Sequence, residues 1–79
     1  MDELALYYSP SCPFCLKVLR FLEQNGIIID LRSTMEADNL QVLLDVGKKN
    51  QVPCLFIGGK ALYESDDIIS YLAQRFGVN

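Results

Sequence analysis

Cys12 and Cys15 stand three positions apart and enclose a proline and a phenylalanine, in the stretch Cys12-Pro13-Phe14-Cys15. Such a pair can hold a metal, staple a fold, fill a core or exchange electrons. Zinc usually takes four ligands dominated by Cys and His. The chain has no His and only one further cysteine, Cys54, so no metal site is expected, and a cluster bridged between two chains is a minor alternative. Three cysteines is an odd number, which a disulfide framework does not favour. Burial as a small hydrophobe suits Cys54 and is open for Cys15. It does not suit Cys12, which sits in the polar, turn-like stretch Ser9-Pro10-Ser11-Cys12-Pro13.

Reaction remains. Proline is favoured at the first position of a helix, so Pro13 puts Cys12 at a helix N-terminus. Unpaired backbone N–H groups and the positive end of the helix dipole favour a thiolate there. The thiolate is the nucleophile, and a Cys-X-X-Cys motif at a helix start is where its pKa falls. Cys15 lies one turn further in, roughly 4.5 Å along the axis, within reach of a disulfide. Cys12 is therefore the candidate attacking thiol and Cys15 the resolving one. Phe14 either shields the pair and touches substrate or is an ordinary aromatic.

The elements that must position the pair follow from periodicity. Leu4 to Tyr8 is an apolar run ending at Ser9-Pro10, a strand. From Pro13, the residues Cys15, Val18, Leu19 and Leu22 mark one helix face, and Asn25-Gly26 ends it. Ile27, Ile28 and Ile29 form a β-branched run that reads as a buried strand. Ser33-Thr34-Met35-Glu36 fits a capping box, with Asp38 as another opening. Leu40, Leu43 and Leu44 give that helix its apolar face, and Gly47 ends it. Cys54 to Ile57 and Lys60 to Tyr63 flank Gly58-Gly59 as a hairpin. Ser65 reads as the N-cap of a last helix with acids in its first turn, with Ile68, Ile69, Leu72 and Phe76 facing inward and Gly77 closing it. The order is β-α-β-α-β-β-α, an α/β fold with a four-stranded mixed sheet and helices packed on it.

The 79 residues suffice for one small domain, taken as residues 1–79. A net charge of −3 argues against nucleic acid or an anionic membrane as main partner. The start, Met1-Asp2-Glu3-Leu4, is acidic and lacks a long apolar core, unlike a secretory signal. No stretch approaches a membrane span. A cytoplasmic monomer is expected, and in a reducing compartment a lasting structural disulfide is not.

Taken in order, Tyr8-Ser9-Pro10-Ser11-Cys12-Pro13-Phe14-Cys15, Gln51-Val52-Pro53, Gly58-Gly59 and Glu64-Ser65-Asp66-Asp67 resemble the glutaredoxins of the thioredoxin-like superfamily, over nearly the whole chain. The resemblance implies a thioredoxin-like fold and a glutathione-dependent thiol–disulfide oxidoreductase. It would reduce protein disulfides or protein–glutathione mixed disulfides, with glutathione as reducing co-substrate and no bound cofactor. Cys12 would be the nucleophile, and Pro53 the family's cis-proline, setting Val52's backbone beside the dithiol. Val52 would pair with the cysteinyl part of glutathione like an added strand. Ser65 and Asp66 would receive the γ-glutamyl carboxylate through backbone N–H groups, and Asp67 or Glu64 would meet its amine. The ordinary readings of the same residues are a strand-opening trans proline and a plain helix cap.

The chain departs from that pattern at Ser9, where many glutaredoxins carry Lys or Arg; Lys17, Lys48 or Lys49 are candidates to compensate. Gln51-Val52-Pro53 and Glu64-Ser65 also resemble the N-terminal domain of glutathione S-transferases; Tyr7, Tyr8, Ser9 and Ser11 are candidates for the hydroxyl those enzymes use, but read as structural. The other readings are a glutathione-binding or iron–sulfur carrier module, and a reductase served by a flavoprotein.

Overall fold

The computed structural model describes residues 3–78, so the acidic start at Asp2 lies outside the described residues. Its elements are β1 (Leu4–Tyr8), α1 (Pro13–Gln24), β2 (Asp30–Ser33), α2 (Ala37–Gly47), β3 (Cys54–Ile57), β4 (Lys60–Tyr63) and α3 (Ser65–Phe76). The sheet runs β2-β1-β3-β4, with β1 parallel to β2 and antiparallel to β3, and β3 antiparallel to β4. This is the expected order and the expected mixed sheet.

Register assigns each face its core, because side chains alternate along a strand. Leu6 stands opposite Leu55, and Leu55 opposite Leu62. That row meets α1 and α3 in a core of Leu6, Val18, Leu22, Ile27, Leu55, Ile68 and Leu72. The neighbouring rows, Tyr7–Cys54–Tyr63 and Ala5–Phe56–Ala61, meet α2 in a second cluster centred on Tyr7, Leu43, Cys54 and Phe56. The Tyr7 and Phe56 rings lie 4.7 Å apart in a tilted pair. β1, which carries the chain into the Cys12 loop, is therefore packed on both faces.

Several local expectations are corrected. The isoleucine run is not a strand: β2 begins at Asp30, and Ile28 is 93% exposed. The helix end accounts for this. The Ile27 N–H donates to the Leu22 carbonyl, so Ile27 folds back into the core just past the positive-φ Gly26. The strand that follows is the sheet edge and carries mostly exposed residues, with Arg32 paired to Asp30. The capping box does not form, and Asp38 does not open the helix either. Ser33 Oγ accepts the Met35 N–H in a turn, and Glu36 is the N-cap of α2 without a side-chain cap. Ser65 is not a cap but the first helical residue of α3, and Glu64 precedes it as N-cap. Leu44 and Phe76 lie largely at the surface rather than inward.

Gly47 does not end α2 by a left-handed turn; Lys48, at φ 65°, does. Gly47 is required by close approach. Tyr63 donates its hydroxyl to the Gly47 carbonyl at 2.8 Å, and a Cβ on Gly47 would stand 2.5 Å from that hydroxyl. Gly47→Ala is thus expected to lower stability by about 1–3 kcal/mol through overpacking and loss of that hydrogen bond, read by urea unfolding. The Gly58-Gly59 hairpin stands as expected, both residues at positive φ.

Candidate active site

Cys12 is the N-cap of α1, with Pro13 at the first helical position. Its thiol is partly exposed, whereas Cys15 is fully buried one turn on. All three cysteines are free thiols. Partial burial pushes the Cys12 pKa up. The Cys15 N–H, the Cys15 thiol and the Phe14 N–H outweigh it, so the thiol sits below its ordinary value. The two N–H groups belong to the unpaired donors of a helix start, whose positive end favours a thiolate. Cys15 moves the other way. Burial raises it to about 11 and the neighbouring Cys12 adds to the rise, against the Ser9 N–H that donates to Cys15 Sγ at 3.4 Å. Cys54 is likewise raised to about 11 by burial, with the neighbouring Tyr63 hydroxyl and Leu62 N–H acting against the rise. Tyr63 itself is pushed up to about 12, first by burial and then by Cys54.

One consequence is selective chemistry. At neutral pH a small alkylating agent is expected to modify Cys12 at least ~10³ times faster than Cys15 or Cys54, since rate follows thiolate fraction and access. Peptide mapping after brief iodoacetamide treatment checks this. The rate should rise with pH through a midpoint below that of an ordinary thiol.

Beside the dithiol lies a cleft of about 590 Å³, lined by Phe14, Gln51, Val52, Pro53, Glu64, Ser65, Asp66 and Asp67. Phe14 is 63% exposed and forms the wall nearest Cys12 in sequence. The Val52–Pro53 bond is cis, and Pro53 is buried at the entrance to β3. Opposite stands the N-terminus of α3. Glu64 holds φ 75°, a positive φ unusual for a residue with a Cβ, and turns the chain so that Ser65 is buried while Asp66 and Asp67 stay exposed. Unpaired N–H groups of a helix's first turn favour an anion. A cleft of this size lies within the usual range of small-ligand sites, about 300–1,000 Å³.

The cleft brings together Phe14, Val52, Pro53, Glu64, Ser65, Asp66 and Asp67; neither cysteine is among its lining residues. Gln51 belongs to the motif Gln51-Val52-Pro53, but the sequence assigns it no role in the site. It lines the cleft, with its amide 3.5 Å from the Glu64 carboxylate; its signal was its place next to Val52-Pro53. Of the lysines considered in place of a basic residue at Ser9, Lys17 pairs with Asp66 and Lys49 lies over the Tyr63 ring. Ser9 contacts Ser11 instead, hydroxyl to hydroxyl at 3.2 Å. Tyr7 belongs to the second core cluster and Tyr8 packs against the first. No helix of the described residues is long and apolar enough to cross a membrane.

The sequence matches the family described as glutathione S-transferase, N-terminal domain, over residues 6–79. A hybrid peroxiredoxin from Haemophilus influenzae is 29% identical over 72 residues, covering 91% of this chain and 30% of that protein. The chain spans about a third of the length of the curated relatives it matches. Among solved structures, a thioredoxin-like protein superposes with a TM-score of 0.80 over 100% of both chains at 24% identity. Human glutathione transferase theta-2, solved in complex with glutathione and an unknown ligand, superposes at 0.84 and 24% identity over 98% of this chain and 33% of that one. The fold is thus thioredoxin-like.

Proposed function

Because the chain belongs to the glutathione S-transferase N-terminal domain family, we propose that it is a glutathione-dependent thiol–disulfide oxidoreductase of the glutaredoxin type. The observation that carries the reading is the juxtaposition of a lowered-pKa thiol at a helix N-terminus with a cleft bounded by Val52, Ser65 and Asp66. A transferase needs a nucleophile only on its substrate; a helix-capping thiolate with a buried second thiol one turn on suits exchange better.

In the proposed reaction the cleft takes the glutathionyl half of a mixed disulfide. Val52's backbone pairs with its cysteinyl unit, and the first turn of α3 receives the γ-glutamyl carboxylate. The Cys12 thiolate attacks the glutathionyl sulfur. A Cys12–glutathione disulfide forms as the protein–glutathione bond breaks, and the protein leaves as a thiolate that takes up a proton. A second glutathione, as thiolate, then attacks the adduct, releasing oxidised glutathione and restoring the Cys12 thiolate. On a protein disulfide, Cys15 resolves the adduct after losing its proton, and two glutathiones reduce the resulting Cys12–Cys15 disulfide. Cys15, raised to about 11 by burial, makes the second route the slower one at neutral pH.

The test is reduction of a small glutathione mixed disulfide, followed through NADPH and glutathione reductase. Turnover that depends on glutathione supports the reading. A wild-type protein that alkylates rapidly at Cys12 yet gives no turnover contradicts it.

A further inference from the structure

A second groove runs along α1, starting at the residue after the nucleophile. Pro13, Leu16, Lys17, Arg20 and Gln24 fall at i, i+3, i+4, i+7 and i+11, one stripe of the helix. With Phe21 and with Ile69 of α3 they enclose about 470 Å³. Its walls are apolar: Leu16 is 43% exposed, and Phe21 and Ile69 are half-buried against the core. No acidic residue is among its lining, which carries two cations. Lys17 is bound to Asp66. Arg20 is exposed and makes no ion pair among the described residues.

The two clefts flank the first turn of α1. Phe14 lines one and Pro13 the other, and the Lys17–Asp66 pair joins a wall of each. A mixed disulfide attacked by Cys12 has two halves, and the groove opens at Pro13, the residue next to Cys12, on the far side of the Lys17–Asp66 pair from the cleft. We propose that this groove docks the polypeptide flanking the substrate's glutathionylated cysteine, taking an apolar side chain against Leu16, Phe21 and Ile69 and an acidic residue on Arg20. The proposal rests on the glutaredoxin-type reading and names its substrate class. On a chain of net charge −3, an acidic partner is repelled in general. A cation with no ion pair among the described residues, about two turns along α1 from Cys12, therefore selects where an acidic segment settles and speeds its arrival.

Three substrates test this: a blocked peptide whose glutathionylated cysteine is flanked by leucine and two glutamates, the same peptide with lysines for the glutamates, and the small mixed disulfide of glutathione with 2-mercaptoethanol. Wild type is expected to prefer the glutamate peptide about fivefold in kcat/KM at low salt, less at high salt. Arg20→Glu should reverse that preference and Arg20→Lys should keep it, both leaving the small disulfide unchanged. Equal rates on the two peptides, or an Arg20→Glu loss shared by all three substrates, overturn the proposal. A second measurement needs no turnover: the glutamate peptide with serine for cysteine, titrated into the reduced protein, should shift the amide resonances of Leu16, Arg20, Phe21 and Ile69. Shifts elsewhere, or none, overturn the docking site. A dead small disulfide with those shifts present refutes the catalytic reading and leaves the groove standing.

Discussion

Cys12→Ser is expected to abolish glutathione-coupled reduction of a small mixed disulfide, by 10³-fold or more. Cys15→Ser should keep most of it. The physical reason lies in their placements. Cys12 caps α1, is partly exposed, and collects the donors that favour a thiolate. Cys15 is fully buried and held at about 11, so at neutral pH only about one molecule in 10⁴ carries its thiolate. The serine hydroxyl at position 12 is of similar size and leaves the helix cap intact, so the loss reads chemistry rather than folding. Against a protein disulfide the pattern should differ. Cys15→Ser then leaves the mixed disulfide unresolved, so the variant should accumulate a trapped adduct visible by non-reducing electrophoresis. Equal loss in both variants on the small substrate would contradict the division of roles.

Leu55→Ala is expected to cost about 2–5 kcal/mol. A domain of this length holds only roughly 4–12 kcal/mol in all, so the variant stands near the edge of folding. Leu55 has no exposure and lies between Leu6 and Leu62 across β1, β3 and β4, under both α1 and α3. Its loss leaves a cavity at the crossing of those elements, where neighbours already packed on several sides cannot collapse far. Ile28→Ala removes a similar side chain from a fully wetted position and should stay within about 0.5 kcal/mol of the native protein. Urea midpoints of the two variants, measured together, separate the buried role from the exposed one.

That contrast also marks where the sequence misleads. Three consecutive β-branched residues look like a buried strand, yet only Ile27 is buried, and the strand comes after them with exposed, partly charged residues. Periodicity sees hydrophobic content. It cannot see that β2 lies at the sheet edge, where the outer side needs no apolar cover. β1, α1, β3 and β4 were legible with their bounds, because Pro13, Asn25-Gly26 and Gly58-Gly59 punctuate the chain at their ends. The start of α3 was legible to within one residue. What could not be read is that Glu64 takes a positive φ, since nothing local favours it there and the surrounding structure imposes it.

The candidate site was legible to a similar depth. The resemblance to the glutaredoxins pointed to Val52, Pro53, Glu64, Ser65 and Asp66, and the place between the cysteines to Phe14; these line one cleft. The Lys17–Asp66 pair joins residues 49 positions apart, and no local signal announces such a contact. Ser9 was marked as a missing cation. In the fold its backbone N–H, not its side chain, reaches the Cys15 sulfur, a contact any residue type there except proline could make.

The most direct test of the central claim uses Cys15→Ser incubated with oxidised glutathione. Intact mass and peptide mapping should show one glutathionyl adduct, on Cys12, and the amide resonances of Val52, Ser65 and Asp66 should shift when it forms. An adduct on Cys54, no adduct, or a Cys12 adduct that leaves those three amides unmoved would contradict the account.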